Sequence, residues 1–308
     1  MLSRTAEHLY WMSRYVERAE NIARFLDVAN RTALASSGDR DAFWRSVLSI
    51  AGGEKAFNAR YSQASVVNVV SFTVLDSTNP SSIYAALRAA RENAHAVRSV
   101  VPNELWESMN ATWLEVKSMD GPRLREQGLI SFCEWVRERS HLFRGILGGV
   151  MVRDETYHFL RLGTALERAD NTARLIGVPL GGFSPSGAAT DPFGQVHWAV
   201  VLRSVSALKA YRTIYRDEPR QDKAIEMLVH RAEMPRSLLS CTNQSLKALR
   251  FLGRNLECTR MVGALQARLH WGRMDELLED GLKEFVADFI TANNHISAQL
   301  HEDFMMSA

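Results

Sequence analysis

The strongest constraint on the fold of this chain is a polar stretch that occurs twice inside helix-patterned sequence. "YVERAENIAR" at residues 15–24 returns as "ALERADNTAR" at 165–174, so that Glu17, Arg18, Ala19, Asn21, Ala23 and Arg24 recur as Glu167, Arg168, Ala169, Asn171, Ala173 and Arg174, each displaced by 150 positions. On a helix that turns about 100° per residue, Glu17, Glu20, Asn21 and Arg24 stand at i, i+3, i+4 and i+7 and form one stripe. Val16, Ala19 and Ala23 lie on one flank, and Tyr15, Ile22, Phe25 and Leu26 lie on the other beyond Arg18. A surface helix gathers its charges opposite the core, whereas this one is apolar on both sides of its polar stripe, so the stripe is expected to face protein or an internal cavity. Glu167, Asp170, Asn171 and Arg174 repeat the pattern, while Arg18 and Arg168 point about 100° away and are expected to serve a neighbouring surface.

The repeat extends beyond these ten residues. Trp44, Ala56, Phe57 and Tyr61 recur 154 positions on as Trp198, Ala210, Tyr211 and Tyr215. Pro80, Ser82 and Ile83 recur at 155 as Pro235, Ser237 and Leu238, and Gly128, Leu129 and Phe132 recur at 153 as Gly281, Leu282 and Phe285. An ordered series with small drifts predicts a tandem duplication, residues 1–150 and 151–308, with the two halves packed about a pseudo-twofold axis as one compact unit. Strand-type alternation is nearly absent and apolar residues at helical spacing fill the chain, which predicts an all-α bundle. Its breaks are expected at "SSGD", "DSTNPSS", "SMDGP" and the proline- and glycine-rich "GVPLGGFSPSGAATDPFG" of residues 177–194, the one candidate for a long loop or lid.

Composition narrows the function classes. Lysine and arginine number 37 against 35 aspartates and glutamates, so no strong field draws in nucleic acid or anionic lipid. Cys133, Cys241 and Cys258 are odd in number and form no Cys-x-x-Cys pair, which argues against disulfides or a thiolate zinc site and fits a reducing cytoplasm. The first residues carry charges where a leader would be apolar, and "ASVVNVVSFTVL" is too short to span a bilayer, so neither export nor membrane insertion is expected. No phosphate-binding glycine loop occurs, so nucleotide chemistry is expected to lie with a partner, and no cofactor is expected.

Two readings of the stripes stand side by side. In one, the carboxylates and guanidiniums pair with each other and set packing register, as buried ion networks do at some cost in stability. In the other, Glu17, Arg18, Glu20, Asn21, Arg24, Glu167, Arg168, Asp170, Asn171 and Arg174 form a site where arginine forks take a phosphate or carboxylate and the carboxylates orient them or accept an amine. A rival site is a bundle-core metal, because Glu92 with His95, Glu138 with His141, and Glu155 with His158 have the i, i+3 spacing of helical carboxylate–histidine ligands. Gly145 and Gly149 are expected at a close helix contact, and the seven tryptophans are expected in the core.

"MLSRTAEHLYWMSRYVERAENIARFLDV", "NPSSIYAALRAARENAHAVR", "RDETYHFLRLGTALERADNTARLIGV" and "MPRSLL" together resemble the alpha-E family nearly from end to end. This is a helical group named for its glutamate–arginine motif. The resemblance places that motif at Glu17, Arg18, Glu20 and Arg24, and again at Glu167, Arg168 and Arg174, with the shorter Asp170 in place of the second glutamate. It further implies work beside an ATP-grasp-type ligase and a transglutaminase-like peptidase, in peptide-bond synthesis or peptide modification, with a peptide or amino acid as ligand. The catalytic residues, if any, are not implied. The expectation is an accessory or substrate-binding protein of such a ligase, the alternative being a helical-bundle enzyme of the same pathway.

Overall fold

In the computed structural model, the described residues are 1–35, 40–178, 192–253, 256–275, 277 and 281–305. Every regular element among them is helical. The breaks expected at "SSGD" and over most of 177–194 lie outside the described residues.

The longest helix, α1 (Ser3–Ala35), runs through the middle of the molecule. At about 1.5 Å per residue its 33 residues span roughly 50 Å. Leu9, Met12, Val16, Ala19, Ala23, Leu26 and Ala29 are all buried, which is the result expected of a helix apolar on both flanks. Helices α2 (Arg40–Ala51), α3 (Glu54–Asn58) and α4 (Val66–Val70) follow, and α4 continues into a π-helical turn at Ser71–Leu75. The "DSTNPSS" segment then folds on itself, with Asn79 Nδ2 donating to Phe72 O at 2.9 Å and Ser82 capping α5 (Ile83–Ala96). Helices α6 (Asn103–Lys117), α7 (Gly121–Gln127) and α8 (Leu129–Gly149) complete the first stretch. Asp120 caps α7, and Gly128, at φ 82°, supplies the left-handed residue that separates α7 from α8.

Asp154 opens α9 (Glu155–Gly177) by accepting the Tyr157 amide. Then follow α10 (Pro192–Ser204), α11 (Leu208–Tyr215), α12 (Gln221–Val229), α13 (Leu238–Leu252), α14 (Glu257–Trp271) and, near the end of the described residues, α15 (Leu282–Phe304). Helix α1 packs on α5 and α8, and α9 packs on α13 and α15; α5 lies on α6, and α13 on α14. The two central helices also pack on each other, and each touches the helix that follows the other one: α10 lies on α1 and α2 on α9.

Where α1 crosses α9, Gly163 meets Ser13. A Cβ at Gly163 would stand 2.3 Å from both Ser13 Oγ and the Tyr10 carbonyl oxygen. Because one of those atoms is backbone, the helices must separate to admit even a methyl group. We expect Gly163→Ala to cost about 1 to 3 kcal/mol by overpacking, measured as a lowered urea midpoint. An unchanged midpoint would show that the crossing adapts freely.

Two packing expectations are corrected. Gly145 and Gly149 are exposed, and a Cβ on either would meet nothing within 4 Å, so the close approach is made by Gly163 instead. Trp44 and Trp198 are buried and the other tryptophans of α1, α6 and α8 are half-buried, but Trp271, at the end of α14, is 78% exposed. All three cysteines are free and buried.

Candidate functional site

The polar stripes of α1 and α9 face each other and interlock. Arg168 donates from Nε to Glu17 Oε1 at 3.0 Å and from Nη2 to Glu17 Oε2 at 2.9 Å. Arg18 donates from Nε to Glu167 Oε1 at 2.6 Å and from Nη2 to Glu167 Oε2 at 3.1 Å. Each glutamate–arginine dipeptide thus grips the other through a two-point fork, the strong geometry for a guanidinium on a carboxylate. The expectation that Arg18 and Arg168 serve a neighbouring surface is therefore corrected. Their offset from the stripe carries each of them across the crossing to the first motif glutamate of the facing helix.

Three further arginines complete the network. Arg14 Nε donates to Glu167 Oε2 at 2.7 Å, and its Nη1 reaches the Tyr10 hydroxyl at 3.0 Å. Arg236, from the turn before α13, sends Nη1 to Asn21 Oδ1 at 2.8 Å and to Glu17 Oε1 at 2.9 Å, and Nη2 to Glu20 Oε1 at 2.8 Å. Arg144 of α8 donates to both oxygens of Glu20, to Glu17 at 3.3 Å and to Ser140. Sequence reasoning had signals for two of them. Arg14 stands three residues before Glu17 on the same helical arc, and Arg236 lies within the "MPRSLL" segment. Nothing local marked Arg144.

Burial by itself would raise the carboxyls of this cluster, but the guanidiniums outweigh it. Arg18 and Arg14 hold Glu167 down at about 2. Arg168 and Arg236 lower Glu17, and Arg236 with Arg144 lowers Glu20 well below the usual carboxylate range. Glu17 and Glu20 are 1% and 0% exposed and have no route to solvent.

At one end of the crossing, the network opens into a cavity of about 290 Å³. Its polar wall is built by Arg18 and Asn21 of α1, Glu167, Asp170, Asn171 and Arg174 of α9, and Ser81 before α5. Ile22 and Phe25, with Val47, Ile50 and Ala51 of α2, form the apolar wall. Arg174 Nε donates to Asp170 Oδ2 at 2.7 Å, one turn away on the same helix. Asn21 is 5% exposed; its Oδ1 accepts from Arg236, but its Nδ2 has no hydrogen-bond partner among the described residues. A buried amide donor without an acceptor is costly.

Of the ten candidate site residues, six line this cavity: Arg18, Asn21, Glu167, Asp170, Asn171 and Arg174. Glu17, Glu20, Arg24 and Arg168 do not. Arg24 turns to Glu20 at 2.7 Å, to Ser206 Oγ at 2.6 Å and to His141 Nε2 at 3.2 Å.

The histidines of the rival metal reading are dispersed. Glu92 pairs with Arg91 and His95 packs on Trp106, whereas Glu155 pairs with the N-terminal amine and His158 stacks on Phe251 at 4.1 Å. His141 meets Arg24 rather than Glu138. Among the described residues, no group of three His, Cys, Asp or Glu side chains stands close enough to hold a metal ion, so Glu92, His95, Glu155 and His158 do not form the ligand set of the rival reading. No helix among them is long and apolar enough to cross a membrane.

Fold and site together define an all-helical protein whose two central helices are locked by reciprocal glutamate–arginine pairs. The chain belongs to the Alpha-E family, described as a predicted alpha-helical domain with a conserved ER motif, whose pattern matches residues 1–305. It is also similar to uncharacterized proteins of Mycobacterium bovis and Mycobacterium tuberculosis, each 24% identical over 315 residues. The match covers 93% of this chain and 35% of each relative, so the chain spans about a third of the length of the curated relatives it matches. No solved structure matches the chain.

Proposed function

We propose that this protein binds an amino acid or the end of a peptide in the cavity between α1, α2 and α9, and serves an ATP-grasp-type amide ligase, alongside a transglutaminase-like peptidase, in peptide synthesis or modification. The observation that carries the binding half of this reading is the unpartnered Nδ2 of Asn21, a buried donor on the wall of a cavity that also presents a carboxylate and a guanidinium. A zwitterion meets all three demands, its carboxylate taking Asn21 and Arg174 and its cation taking Asp170. The ligase half rests on the family resemblance. It is supported by relatives that match over only 35% of their length, as a unit working beside other domains would.

The same reading includes a tandem duplication of one helical unit. Its support is the parallel order of contacts in the two stretches, the serine caps at Ser82 and Ser237, and the left-handed glycines at Gly128 and Gly281 before α8 and α15. Two copies that began alike then diverged, one closing over Glu17 and Glu20 and the other leaving a cavity beside Asp170.

Paired variants at equivalent positions test the site. The Arg174 side chain is 32% exposed and faces the cavity, so Arg174→Ala is expected to leave the melting temperature within about 2 °C, a change under about 0.5 kcal/mol. It should also abolish amino-acid binding measured by calorimetry and any stimulation of a ligase assayed with ATP. Arg24, at 10% exposure and away from the cavity, is expected to show the reverse: lower stability with binding retained. Retention of binding by Arg174→Ala would sink the site.

A further inference from the structure

The two ends of the α1–α9 crossing differ at the residue that precedes a helix cap. At the Glu17 end, the residue before the α13 cap is Arg236, whose guanidinium fills the space against Glu17, Glu20 and Asn21 and is 6% exposed. At the Glu167 end, the residue before the α5 cap is Ser81, and the cavity occupies the corresponding space.

The correspondence is carried by the turns themselves. Ser82 Oγ accepts from the Ala85 amide at 3.0 Å and donates to Asp76 O at 2.6 Å. Ser237 Oγ accepts from the Ser240 amide at 3.0 Å and donates to Arg231 O at 2.6 Å. Helix α5 lies on α1 as α13 lies on α9. A side chain of arginine length at position 81 would therefore reach toward Glu167, Asp170 and Asn171, as Arg236 reaches Glu17, Glu20 and Asn21. The rims agree as well. Arg24 meets Ser206, at φ 56°, and Arg174 faces Gly52, at φ 70°, with 3.8 Å between Nη1 and the position a Cβ would take.

The cation deficit falls on one carboxylate. Glu20 accepts from Arg24, Arg144 and Arg236, whereas the arginine on Asp170 is Arg174. A carboxylate offers about four acceptor sites, so Asp170 retains capacity that Glu20 has filled.

Resting on the ligand-site reading above, we infer that the cavity is a receptor for a guanidinium group, filled by arginine as a free amino acid or as a residue of a peptide. The ligand's fork takes the place that Arg236 occupies at the other end, donating to Asp170, Asn171 and Glu167. Its carboxylate or peptide carbonyl accepts from Asn21 Nδ2. A planar fork matches two acceptors at once, which the compact charge of an ammonium does not.

The test uses the full chain, titrated calorimetrically with L-arginine, an Ala-Arg-Ala peptide, L-lysine, L-alanine, L-aspartate and L-citrulline, the neutral isostere of arginine. Arginine in one of its two forms should bind at least tenfold more tightly than citrulline or lysine, and the two arms separate free from peptide-borne arginine. Ser81→Arg places the chain's own guanidinium in the cavity. It should abolish arginine binding while keeping or raising the melting temperature. Asp170→Asn provides a second route, with arginine affinity falling tenfold or more. Equal binding of citrulline or lysine, or unchanged arginine binding by either variant, overturns the inference. Binding of alanine or aspartate without arginine overturns it while leaving the ligand site standing. No binding of any of these at millimolar concentration removes both.

Discussion

Glu17→Ala is expected to lower the stability of this protein by about 3 to 5 kcal/mol, the cost of leaving a buried charge without its partner. The Arg168 side chain is 8% exposed and both its hydrogen bonds end on Glu17. With Glu17 gone, that guanidinium has no route to water, whereas Arg236 keeps Glu20 and Asn21. The equivalent change at the other end should cost less. Glu167→Ala frees Arg18, which is 23% exposed and borders the cavity, so its charge can be hydrated where it stands, and Arg14, at 10% exposure, keeps the Tyr10 hydroxyl. About 1 to 3 kcal/mol is expected there, the usual range for a group that loses its partner. Urea midpoints of the two variants, compared with the parent, measure the difference. Since a domain holds only about 5 to 15 kcal/mol in total, Glu17→Ala should unfold at markedly lower denaturant. Equal losses at the two positions would mean that the cavity does not hydrate Arg18 or that Arg14 is stranded as Arg168 is.

The asymmetry explains which parts of the site could be read from the chain and which could not. Helical spacing was enough to put Glu17, Glu20, Asn21 and Arg24 on one buried stripe, because the periodicity of a helix is a local property. The apolar residues on both flanks were enough to place that helix at the centre, where Leu9, Ala23 and Leu26 are fully buried. The direction of Arg18 and Arg168 was not legible, since it depends on the angle at which α1 crosses α9. At that crossing Gly163 meets Tyr10 and Ser13, a detail of packing with no periodic signature. Gly145 and Gly149, spaced four apart, looked like the better candidates for such a contact, yet they face solvent. Arg144 joins Glu20 across 124 positions and Arg236 joins it across 216, and no local pattern reports a pairing of that range. The cavity depends on Ser81, whose importance lies in being shorter than Arg236. A missing side chain leaves no motif.

The carboxylates of the crossing also dictate how the protein should respond to acid. Glu167 is held at about 2 against an ordinary 4.5. A carboxyl depressed in the folded state stabilises it in full above the unfolded value, and that contribution drains as pH falls from about 4.5 to 2. At about 1.4 kcal/mol per unit, the loss is about 3 kcal/mol. Glu17 and Glu20 are shifted in the same direction and add to it. A second group acts at higher pH. His197 on α10 is 2% exposed, its Nδ1 has no partner among the described residues, and burial lowers it to about 4 from 6.5. Here the unfolded chain takes a proton at 6.5 while the folded chain refuses it until about 4. Stability is therefore complete above pH 6.5, declines as pH falls toward 4, and levels after a loss of about 3 kcal/mol. The expected curve has two descents, one between pH 6.5 and 4 and a second below 4.5. Urea unfolding at pH 7.5, 5 and 3 resolves them. His197→Leu should remove most of the decline between pH 7.5 and 5, the remainder belonging to His141 and His158, which burial lowers in the same direction, and leave the lower one, because the glutamates are untouched. A parent protein as stable at pH 5 as at 7.5 would show that His197 is not held neutral in the fold.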